Sequence, residues 1–162
     1  MNKQDVVTLY RYNQWANARI LQATGNLSPE QFLREASYPH GGVRGTLVHT
    51  LFAEWIWRSR WQGSSPTVRF KPEEFPTFDS LKERWSQEDK ALMEFVEGLS
   101  DEQLNQVFQY RTTRGEPREQ ILWQAMAHVV NHGTQHRAEA AALLSEYGCS
   151  PGDVDMIYFL GG

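Results

Sequence analysis

Four stretches of this chain repeat their apolar residues every three to four positions, and glycine and proline punctuate the gaps between them. That period matches one face of an α-helix, so the chain must bury four helical stripes against one another. The first stretch covers residues 3–24, with Val6, Leu9, Tyr10, Tyr12, Trp15, Ala16, Ile20 and Leu21 on its apolar face and Gly25 as its stop. The second covers residues 44–61, where Val48, Leu51, Phe52, Trp55 and Ile56 occupy more than one face, as in a helix wedged between neighbours. The third runs from residue 77 or 79 to residue 97, ended by Gly98, and the fourth from 118 to 147, ended by Gly148. Ser28-Pro29-Glu30-Gln31 and Ser100-Asp101-Glu102-Gln103 each read as a capping box opening a short helix. Residues 107–112 alternate weakly before Gly115 and Pro117, the pattern of a small hairpin or an extended connector. The apolar tail Met156-Ile157-Tyr158-Phe159-Leu160 is expected to pack back on the body. The sum is an all-α four-helix bundle in one domain, residues 1–162. The long link between the second and third helices predicts a crossover connection.

Composition narrows the chemistry. The 162 residues carry 16 Lys+Arg against 20 Asp+Glu, a net charge of −4, which argues against a nucleic-acid footprint. No apolar run is long enough to span a membrane, and the first residues lack a signal-peptide core, so a cytoplasmic protein is expected. Cys149 is the single cysteine, which excludes an internal disulfide and any thiolate zinc motif; no neighbour marks it as a nucleophile. A metal site would have to use His, Asp or Glu.

Five histidines are present, and three fall on the fourth helical stretch at His128, His132 and His136. Each four-residue step turns a helix by about 40° and rises about 6 Å, so neighbours in this series can converge on one ion but the outer two cannot. His132 and His136 form the two-residue clamp. His128 is left to a core or supporting position. Gly133 follows His132, so this is not the HExxH motif, and no built-in base accompanies the pair. A mid-helix glycine costs about 1 kcal/mol, which points to close approach by a neighbour or a ligand. The third ligand should come from a facing helix. His49, inside the apolar part of the second helix, is the best candidate, whereas His40 lies in a Pro/Gly loop where water can satisfy it. Three neutral imidazoles with open positions suit a divalent ion, zinc or nickel first, with manganese, iron or cobalt as alternatives. Trp55, Trp57 and Trp61 read as core and dimer surface, and Arg58, Arg60, Arg111, Arg114 and Arg118 as solvated charges.

At these residues the chain resembles the DinB/YfiT-like superfamily of metal-dependent enzymes. The resemblance rests on Tyr12-Asn13-Gln14-Trp15-Ala16-Asn17, on Thr46-Leu47-Val48-His49 with Glu54 and Trp57, and on His128-Val129-Val130-Asn131-His132 with His136-Arg137. Gly148-Cys149-Ser150-Pro151-Gly152-Asp153, with Asp155, extends it to the C-terminus. Ala138-Glu139 departs from the Gly-Gln found in many members. The resemblance implies a four-helix bundle with a long crossover, often homodimeric, holding one divalent metal on His49, His132 and His136. It also implies chemistry akin to relatives that transfer low-molecular-weight thiols such as bacillithiol or mycothiol.

The expectation is therefore a metal-dependent transferase joining a low-molecular-weight thiol to an electrophilic small molecule. The alternatives are a metal-dependent hydrolase and a non-catalytic metal- or small-ligand-binding bundle. His128 is the candidate supporting residue, while Asn131, Gln135 and Arg137 are weaker ones, and no residue stands out as a general base.

Overall fold

Residues 1–162 are described by a computed structural model. The helices are α1 (Lys3–Thr24), α2 (Pro29–Leu33), α3 (Val43–Trp61), α4 (Phe78–Gly98), α5 (Asp101–Leu104), α6 (Leu122–Glu146) and α7 (Met156–Gly161). A two-stranded antiparallel hairpin, β1 (Val107–Arg111) and β2 (Pro117–Ile121), precedes α6. Local chemistry sets most boundaries. Ser28 and Ser100 accept from the backbone N–H three residues on, while Gln31 and Gln103 reach back, so both expected capping boxes form. Thr77 caps α4 in the same way through Ser80.

Each long helix lies beside two others: α1 against α4 and α6, and α3 against α4 and α6. Paired contacts fix their directions. Tyr10 meets Met126 and Asn17 meets Arg137, so α1 and α6 run parallel. Arg58 meets Glu88 and Trp61 stacks on Phe95, so α3 and α4 also run parallel. His49 meets His132 while Trp57 meets His128, making α3 and α6 antiparallel. Two adjacent parallel helices require a connection that returns the length of the bundle, roughly 28 Å for the 19 residues of α3. Residues 62–77, with one 3₁₀ turn at Pro72–Glu74, make that return, which is the expected crossover.

Two expectations are corrected here. The fourth long helix starts at Leu122 rather than near residue 118, because residues 117–121 pair with residues 107–111 as a strand. Arg58 and Arg60 are not solvated charges. Arg58 forks onto the buried Glu88 carboxylate, at 2.5 and 2.9 Å. Arg60 is buried with its guanidinium over the Trp57 and Tyr110 rings, 4.7 and 5.0 Å from their centroids. The C-terminal tail packs back as expected, Phe159 lying against Tyr12 and Trp15, while Ile157, Tyr158 and Leu160 stay exposed.

The bundle centre is polar. Glu54 on α3 is 1% exposed, and its Oε1 accepts from the side-chain amides of Asn13 and Asn17 at 2.7 and 2.8 Å. The carbonyl oxygens of the same two amides accept from Arg137 Nη1 at 2.6 and 2.9 Å. Two asparagines of α1 thus bridge a buried carboxylate of α3 to a buried guanidinium of α6. Burial pushes the Glu54 carboxyl up, and the two amides and Arg137 act against that rise. Gly133 makes room for the bridge: a Cβ there would lie 2.8 Å from Arg137 Nη1 and 3.0 Å from Asn13 Oδ1.

Gly133→Ala adds about 1 kcal/mol of helix propensity. It should nevertheless lower stability by about 1–3 kcal/mol, because the methyl group displaces Arg137 from its amide acceptors. Urea unfolding tests this, and a variant as stable as the parent would contradict it.

Candidate metal centre

Four imidazoles converge between α3, α6 and the loop before α3. His132 Nε2 lies 3.3 Å from His49 Nε2 and 3.1 Å from His136 Nε2. The nearest ring nitrogens of His40, His49 and His136 all fall within 4.8 Å of one another. His40, His49 and His136 are thus placed to hold a metal ion, a trio in which His40 stands where His132 was expected, while His132 approaches two of its members pairwise.

The donor chemistry fits a cation better than it fits hydrogen bonds. A ring Nε2 has one in-plane site, either a proton or a lone pair, so His132 can satisfy only one of its two close nitrogen neighbours. Nitrogens sharing a tetrahedral ion at about 2.0–2.1 Å lie about 3.3 Å apart, the spacing found here. Electrostatics agrees. Burial, then the charges of His40, His136 and His132, hold the His49 imidazole down at about 3. Burial, then His136 and His128, hold His132 at about 4. Both rings are therefore neutral at neutral pH, as ligation requires. His136 is oriented from outside: its Nδ1 lies 2.8 Å from Glu139 Oε2, which leaves Nε2 as the free lone pair. Glu139, a departure from the family pattern, thus supports the best-buried histidine of the cluster.

His40 was expected in solvent, and the structure brings it to the site instead. Its ring stacks on His49, with centroids 3.7 Å apart and planes 11° from parallel. Gly45 permits this, because a Cβ at that position would collide with the His40 carbonyl oxygen. The sequence signal was Gly45 itself, a glycine in the first turn of α3. His128 is exposed and not in the core; its ring lies 5.8 Å from that of His132 and 5.5 Å from Trp57. Asn131 and Gln135 face solvent, while Arg137 is taken up by the buried bridge. Cys149 is half-buried against the core, with its thiol toward the Tyr147 carbonyl oxygen.

A helical bundle whose antiparallel neighbours bring several imidazoles together, with a carboxylate behind one of them, carries a candidate metal site. The DinB family model matches residues 1–161. The chain is 26% identical over 159 residues to Protein DinB of Bacillus subtilis, an alignment covering 94% of this chain and 92% of that relative. The chain belongs to the DinB family.

Two outcomes are expected. Glu139→Ala should weaken zinc affinity 10- to 100-fold, while Glu139→Gln, which keeps an acceptor, should retain most of it; competition with a chromogenic chelator reads both. In the metal-free protein, the unfolded chain takes up protons on His49 and His132 below about 6.5 while the folded chain does so only near 3–4. Folding stability should therefore fall as pH drops from 6.5 toward 4. Melting curves of the His49→Ala/His132→Ala variant should show a flatter decline over that range, and parallel curves would contradict the assignment.

Proposed function

We propose that this DinB-family protein binds one divalent cation on His49, His132 and His136 and uses it to join a low-molecular-weight thiol to an electrophilic small molecule. The observation that carries the reading is the approach of the His49 and His136 Nε2 atoms to His132 Nε2, at 3.3 and 3.1 Å, with Glu139 fixing the ring of His136. A divalent ion held there lowers the pKa of a thiol or water beside it, supplying a nucleophile near neutral pH. The chain's own groups do the rest. His49 from α3 and His132 from α6 keep their lone pairs unprotonated, and Glu139 turns the His136 ring so that its Nε2 faces His132. Val48, Phe52 and Phe70 give the neighbouring cavity a partly apolar wall that limits water near the site. Cys149 packs against the core, so the reacting thiol is taken to arrive with the substrate. Zinc or nickel best matches an all-imidazole donor set.

Elemental analysis of the purified protein should find one transition-metal ion per chain. His132→Ala or His136→Ala should abolish that occupancy and His49→Ala should weaken it strongly, whereas His128→Ala should leave it intact. Full occupancy in the first two variants would overturn the ligand assignment. The loaded protein, given a panel of low-molecular-weight thiols and an electrophilic bimane dye, should form the thioether faster than free metal does. Turnover of ester substrates without thiol dependence would instead make it a hydrolase, and no turnover of either a binding protein.

A further inference from the structure

Beside the histidine cluster lies a cavity of about 250 Å³, lined by His40, Gly45, Val48, His49, Phe52, Arg69, Phe70 and Pro72. It is smaller than the range of about 300–1,000 Å³ usual for drug-sized ligands, leaving room for little more than one ring. Its walls differ in character. The lining combines the His40 and His49 imidazoles with the apolar Val48, Phe52 and Phe70. Phe70 is held by edge contact with Phe52, at 5.6 Å between centroids, and by Trp55 behind it at 4.8 Å. A flat apolar ligand meets a steady surface there.

Charge distinguishes this cavity from a plain apolar cleft. Its only permanently charged lining residue is Arg69, and no Asp or Glu lines it. The other arginines nearby are committed: Arg84 lies over the Phe70 ring at 5.3 Å and pairs with Glu88 at 3.5 Å, and Arg44 faces Glu35 at 3.9 Å. Arg69 makes no ion pair. Its one side-chain hydrogen bond runs from Nη2 to the Thr113 hydroxyl in the β1–β2 turn, at 3.1 Å, which steadies the guanidinium and leaves its other N–H groups free. Its positive charge contributes to keeping His49 unprotonated.

We propose that this cavity is a carboxylate-recognising subsite, taking a small aromatic acid whose ring lies on Phe52 and Phe70 and whose carboxylate is held by Arg69. The planar guanidinium fork matches a carboxylate in two parallel hydrogen bonds, which an ammonium does not reproduce. A molecule seated there lies against His40 and His49, so under the metal-site reading on which this inference rests, the subsite selects the acid-bearing reactant for the metal centre.

The test uses benzoate as probe and benzamide as its neutral isostere, titrated by calorimetry or by ligand-observed NMR into the zinc-loaded and the metal-free protein. Benzoate should bind the zinc-loaded protein at least tenfold more tightly than benzamide does. Arg69→Gln should remove that preference, Arg69→Lys should restore only part of it, and zinc content should be the same in all three proteins. The preference should survive metal removal in weakened form. Equal binding of the two probes, or benzoate binding that ignores Arg69→Gln and vanishes with the metal, would overturn the subsite, the latter placing the carboxylate on the ion. Absence of stoichiometric zinc would instead defeat the metal reading, and an Arg69-dependent benzoate preference in the metal-free protein would still uphold the subsite.

Discussion

A carboxylate and a guanidinium buried at the centre of a helical bundle each lose their hydration, and neither is tolerated there unless its hydrogen-bonding groups find partners. Glu54 and Arg137, 1% and 2% exposed, meet most of this demand through two shared amides rather than by direct contact, with Thr134 taking Arg137 Nη2 and only Glu54 Oε2 and Arg137 Nε left without a partner. Asn13 and Asn17 donate to the carboxylate and accept from the guanidinium, so each amide is polarised in the same sense from both ends. Such an arrangement has one register. Sliding α3 or α6 by a single turn would leave a buried charge unpaired, at a cost of several kcal/mol. The bridge therefore fixes α1, α3 and α6 relative to one another, and Gly133 is the opening through which it passes.

The candidate metal centre inherits that register. His136 immediately precedes Arg137, and His49 lies five residues before Glu54 on α3. Locking Arg137 and Glu54 across the bundle brings the ligand face of α6 opposite the ligand face of α3 without any requirement that the imidazoles attract one another. They do not: burial disfavours protonation of these rings most, and each ring adds to the effect on its neighbours. Neutral rings held close by other forces form a pre-organised acceptor for a cation. The crossover of residues 62–77 then lays Phe70 and Arg69 beside that acceptor, which gives the site its shaped side.

Particular residues show how much of this was legible in the chain. The four long helices were, because apolar spacing is a local property, and both capping boxes were, because three-residue spacing is local too. The start of α6 was not: residues 117–121 become a strand only through pairing with residues 107–111, a contact that periodicity does not register. His49, His132 and His136 could be selected as candidates from helical geometry and apolar context. His40 was marked only indirectly, by Gly45, since its own loop composition reads as solvent-facing and the close approach that the missing Cβ allows is a tertiary contact. Glu139 stood out as a departure from the family pattern, but its hydrogen bond to His136 follows from side-chain placement across one helical turn. Asn13, Asn17 and Glu54 were part of the resemblance without any role visible in their spacing.

By itself, the sequence determined the class of fold and the kind of donor available: four amphipathic helices, and imidazoles in place of thiolates, because one cysteine builds no thiolate cage. Tertiary structure decided which polar groups meet. Helical period specifies a face but not the depth or register at which two faces contact, and hydrogen-bond partners many residues apart are set only when the bundle closes. The Glu54–Arg137 bridge, the approach of His40 and the unpaired Arg69 beside an apolar wall all belong to that second level.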